Sequence, residues 1–134
     1  MYQWDNNLRV ADCLLNIASA AGNDSGLQEG ATRAAVGRFY YACYKAVDEI
    51  VKDQLGTKVL NGNGGSHERT INSLLDCNSS CFDIQEKEIL VDNLNELKGY
   101  RQQADYNQST TFSSQRVDRI KRIAMQTSDK LKIF

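Results

Sequence analysis

The chain has 134 residues, of which 41% are hydrophobic and 25% charged, and its formal net charge is −1. That length and balance suit one packed domain over residues 1–134 and argue against both a disordered polar chain and a membrane-spanning one. They also argue against a protein that holds nucleic acid through an overall basic surface, so any contact with RNA or DNA has to be local.

Four cysteines, Cys13, Cys43, Cys77 and Cys81, are expected as free thiols. The opening stretch through Arg9 carries charges where an export signal needs an apolar run, so a cytoplasmic, reducing location is expected. Cys13 and Cys43 fall on apolar helix faces and are assigned to the core, whereas Cys77 and Cys81 flank the polar turn Asn78, Ser79, Ser80. His67 is the single histidine and there is no C-x-x-C, so neither a metal site nor a cofactor is expected.

There is no proline, and the glycines concentrate between residues 22 and 65, a pattern of long helices separated by glycine-marked breaks. Trp4, Leu8, Ala11, Leu15 and Ala18 form one helical face, with Gly22 placed to stop it. A central helix is predicted from about Glu29 to Leu55. Its stripe is Val36, Phe39, Cys43, Ala46 and Ile50, widened by Tyr40, Tyr44, Val47 and Val51, and Gly56 ends it. Residues 56 to 65 form a flexible loop without the Gly-Lys-Ser/Thr ending of a phosphate cradle and without a strand before it.

Ser66 is positioned to cap a short third helix running through Ile71, Leu74 and Leu75. Asp83 and Glu86 make a capping box for a fourth helix, whose face is Leu90, Leu94, Leu97, Arg101 and Ala104. Phe112, Ser113 and Ser114 open a last helix with Val117, Ile120, Ala124, Thr127 and Leu131 facing inward. The expected fold is all-α, an antiparallel bundle of four to five helices without a sheet. Trp4, Leu15, Phe39, Cys43, Ile50, Leu94, Leu97, Ile120 and Ala124 are its predicted core.

Arg101 stands out because a guanidinium keeps its charge and must be paired on a buried or interfacial face. Asp105, one turn on, is its candidate partner. Arg38 lies among Tyr40, Tyr41 and Tyr44, and the two arginines suggest a cationic cleft that grips a phosphate while tyrosines stack on a base. The competing reading is a salt-bridge and hydroxyl network that only fixes helix register. The basic residues of the last helix (Arg116, Arg119, Lys121, Arg122, Lys130, Lys132) are read as its solvated face.

Gly37-Arg38-Phe39-Tyr40-Tyr41-Ala42-Cys43-Tyr44-Lys45-Ala46 resembles the S-R-x-Y-Y-A-x-F-H-A segment of a branch of small stand-alone HEPN proteins. Ser66-His67 resembles the Ser-His that opens that branch's third helix, and Arg101-Gln102-Gln103-Ala104-Asp105-Tyr106 resembles its R-x-x-A-D-Y. The three blocks occur in order over nearly the whole chain. The resemblance implies a helical bundle that commonly dimerises.

The resemblance also implies one of two activities. One is metal-independent RNA cleavage by an Arg-x(4–6)-His motif, in which arginine holds the scissile phosphate and histidine moves a proton. Here that motif would have to use Arg101, Asp105, Tyr106 and Asn107, with no histidine at any permitted spacing. The branch's histidine on the central helix is replaced by Lys45.

The other activity is binding without cutting, beside a nucleotidyltransferase-type partner or within a defence or toxin–antitoxin module. The missing histidine favours it. RNA or nucleotide would then be bound by Arg38, Tyr41, Lys45, Arg101, Asp105 and Tyr106, with His67 in a capping or surface role. A structural dimerisation module is the third reading.

Overall fold

The computed structural model describes residues 3–56 and 65–134. The elements are α1 (Asn6–Ala20), α2 (Ser25–Leu55), α3 (Ser66–Asn72), α4 (Ile84–Tyr106) and α5 (Ser114–Lys132), with a single 3₁₀ turn over Ser73–Asp76. No strand occurs among the described residues. Most of the loop expected at residues 56 to 65 lies outside them.

Helix boundaries follow local chemistry. α2 begins earlier than its apolar stripe because the Asp24 carboxylate accepts the Leu27 N–H at 3.0 Å, an N-cap that outweighs Gly26 and Gly30 in the first turns. Gly22 and Gly56, at φ of 60° and 69°, take positive-φ conformations after α1 and α2 that favour glycine. Gly65, not Ser66, occupies the cap of α3, leaving Ser66 as the first helical residue. Half of the capping box on α4 forms: Asp83 accepts the Glu86 N–H at 2.9 Å. Ser113 caps α5 by accepting the Arg116 N–H at 3.2 Å.

Side-chain contacts give the helix directions. Asp12 pairs with Lys121 and Asp5 with Lys132, so α1 and α5 run antiparallel. Gln103 meets Arg116 and Glu96 meets Arg119, so α4 and α5 do the same. α2 packs against every other helix, which explains the width of its apolar face. Its Val36, Phe39, Tyr40, Cys43 and Val47 are at most 1% exposed. Leu90, Leu94 and Leu97 from α4 and Ile120, Ala124 and Leu131 from α5 close over them. Each large side chain buried in this way contributes about 1.5–3 kcal/mol.

Three positions differ from the predicted core. Trp4 lies just ahead of α1, and Leu15 and Ile50 sit at the edge of the packed face; all three are half-buried. Cys13 is exposed, because two residues beyond Ala11 an α-helix has turned by about 200° and presents its opposite face. Cys43 and Cys77 are buried, Cys81 is exposed, and all four are free thiols. No helix among the described residues is long and apolar enough to cross a membrane.

Candidate functional site

Arg101 projects from the last turns of α4 toward α2. Its Nη2 donates to the Tyr41 hydroxyl at 3.1 Å, and its Nε lies 2.9 Å from Asp105 Oδ2. The Nε contact is an ion pair without hydrogen-bond alignment. The guanidinium also lies over two rings, 5.5 Å from the centroid of Tyr41 and 5.6 Å from that of Tyr106. Its Nη1 makes no hydrogen bond with the described residues. One edge of a retained cation is thus left for a ligand.

His67 joins this cluster from α3. Its ring stacks on Tyr44 with centroids 3.9 Å apart and meets Tyr41 edge-on at 6.2 Å. Its Nδ1 is 2.8 Å from the Tyr40 hydroxyl. Tyr40 is fully buried, and desolvation with the neighbouring Tyr44 raises its pKa well above the ordinary tyrosine value, so it keeps its proton. The phenol has no other hydrogen bond among the described residues and therefore donates to Nδ1, which puts the ring hydrogen of neutral His67 on Nε2. Burial lowers the pKa of His67, and the positive charges of Arg101, Lys98 and Lys45 lower it further. The outcome is a neutral imidazole beside a guanidinium, which suits donation to an anion and not proton abstraction.

Arg38, Tyr41 and Lys45 follow one another along one face of α2, and with Trp4, Asn7 and Glu49 they line a depression of about 350 Å³. Arg38 is exposed and donates from Nη1 to Asn7 Oδ1 at 3.3 Å. Tyr40 and Tyr44 lie on the buried side with His67, so of the three tyrosines near Arg38 in sequence only Tyr41 lines this depression. Tyr41 is the link between the expected residues, since it lines the depression and its hydroxyl accepts from Arg101.

Beyond Arg101 the candidates diverge. Tyr106 is 74% exposed. Asn107 is occupied in a turn, where its Oδ1 accepts the Ser109 N–H at 3.1 Å and the Ser109 hydroxyl at 2.8 Å. His67 is half-buried in the aromatic cluster instead of serving as a cap or a surface group.

Sequence reasoning missed Arg33. Its Nη1 donates to the carbonyls of Gln103, Ala104 and Asn107 and its Nη2 to those of Gln108 and Thr110, at 2.6–3.2 Å. The charge therefore sits at the negative end of the α4 dipole and fixes the segment that carries Arg101. Among the described residues no three His, Cys, Asp or Glu side chains gather as metal ligands. No protein-family model, curated protein or solved structure matches this chain.

Proposed function

We propose that the chain is a small HEPN-like protein that binds RNA or nucleotide phosphate without cutting it. In this reading it is cytoplasmic and belongs to a defence or toxin–antitoxin module, alone as a homodimer or beside a nucleotidyltransferase-type partner. The observation that carries the proposal is the state of Arg101, a guanidinium held by Tyr41 and Asp105 with Nη1 unengaged by the described residues. Arg38, Tyr41 and Lys45 extend the surface on α2, and Asp105 and Tyr106 extend it on α4. Cleavage would require an acid–base group, a contribution of about 10²–10⁴-fold. The tautomer of His67 and its low proton affinity are poorly matched to that role.

Three proteins test the proposal against single-stranded RNA without metal: wild type, Arg101→Ala and Tyr106→His, the last restoring an Arg-x(4)-His spacing. Wild type is expected to bind and not cleave, Arg101→Ala to lose binding, and cleavage to appear only in Tyr106→His. Arg101-dependent cleavage by wild type would make the protein a nuclease. Absence of binding in all three, with Arg101→Ala merely less stable, would make the cluster a structural network.

A further inference from the structure

We infer that the depression lined by Trp4, Asn7, Arg38, Tyr41, Lys45 and Glu49 is a slot for one unstacked RNA base, with guanine preferred, beside the phosphate held by Arg101. The inference rests on the RNA-binding reading above and specifies its ligand. At about 350 Å³, the slot lies at the small end of ordinary ligand sites and suits a single nucleoside. Trp4 and Tyr41 are its aromatic lining residues, and the Arg101 guanidinium lies over the Tyr41 ring at 5.5 Å from its centroid. Flat aromatic surfaces of this kind are what an unstacked base packs against.

Charge sets the orientation. Arg38 and Lys45 are exposed cations two turns apart on the slot's α2 wall. Lys132 Nζ stands 6.0 Å from the Trp4 ring. Glu49 is the exception. It lines the same slot, and although Lys45 precedes it by one turn, it forms no ion pair among the described residues. An unpaired carboxylate repels a phosphate, so the phosphate is assigned to Arg101, which is outside the slot lining and bonded to the Tyr41 hydroxyl, and the base to Glu49. Guanine alone among the four RNA bases presents two adjacent donors, N1–H and the N2 amine, that two carboxylate oxygens can accept together. Tyr41 spans the two subsites, with its ring against the base and its hydroxyl on the guanidinium that holds the phosphate.

Trp4 is the only tryptophan in the chain, so intrinsic fluorescence reports occupancy of the slot. The probes are three short single-stranded RNAs that differ at one central position: guanine, adenine or an abasic ribose. Binding is read independently by anisotropy of a labelled end. The guanine RNA is expected to quench Trp4 and to bind about tenfold tighter than the adenine RNA, the size of effect a paired-donor contact gives. Glu49→Gln, an exposed substitution, should bind both equally, and Trp4→Leu should bind all three alike. If RNA binds through Arg101 but the abasic RNA binds as well as the others and fluorescence does not change, the slot is overturned while the RNA-binding reading stands. Equal affinity for guanine and adenine, unaltered in Glu49→Gln, overturns the base preference. Absence of RNA binding by anisotropy overturns both.

Discussion

Arg33 reaches from α2 to the end of α4 and Arg101 reaches from α4 to α2, and the two are treated in opposite ways. The two η nitrogens of Arg33 share five backbone carbonyls, and its Nε pairs with Glu29 at 3.0 Å. Arg101, equally buried in its side chain at 17% exposure against 15%, has one phenol, one carboxylate and an Nη1 that no described residue engages. Burial therefore does not separate an arginine that builds the fold from one available to a ligand. The count of satisfied donors does.

The scaffold supplies the largest expected effect and a reference for the rest. Phe39→Ala, at a fully buried site on α2, should cost about 3–5 kcal/mol, seen as a lowered denaturation midpoint. Arg33→Ala comes next, at about 2–3 kcal/mol, because five carbonyls lose a charged donor. Arg33→Lys should recover only a minor part, since an ammonium cannot reproduce the planar fork. If Arg33→Ala is as stable as wild type, donor count is no guide to role. Arg101→Ala should change stability by less than about 1 kcal/mol while removing RNA binding, and a larger loss of stability would place Arg101 with Arg33.

The smallest effect is on pH dependence. The pKa of His67 is lowered in the folded protein, so between the ordinary value of about 6.5 and the folded one the unfolded chain binds the proton more readily. Stability should then be flat above that range, fall as the pH drops through it, and level off below the folded pKa. His67→Gln should flatten this part of the profile. In Arg101→Ala, histidine resonances followed by NMR should titrate at higher pH than in wild type, because one of the cations opposing protonation is gone.

What was legible in the sequence was what is local. The stripes of α4 and α5 keep their inward spacing, and Arg101–Asp105 is a contact between neighbours one turn apart. Arg33 was not legible because its partners are backbone carbonyls 70–77 residues away, and a carbonyl has no identity in sequence. Cys13 was misread because α1 has apolar residues on both faces; Val10 and Ile17 are exposed beside it. The fold chooses which face to bury. His67 reached the aromatic cluster through the packing of α3 against α2 and α4, a long-range placement that spacing does not encode.

The Arg33 contact also bears on motion. Five bonds converge on one side chain, so a single rotamer change withdraws the donor from the carbonyls of Gln103, Ala104, Asn107, Gln108 and Thr110 together, while the backbone bonds from Asn107 to Gln103 and from Thr110 to Asn107 stay. The end of α4 and the turn after it are therefore tied to α2 through one residue, so a change at Arg33 reaches the whole stretch from Gln103 to Thr110 and not one bond of it. Asp105, the carboxylate that pairs with Arg101, lies within that stretch.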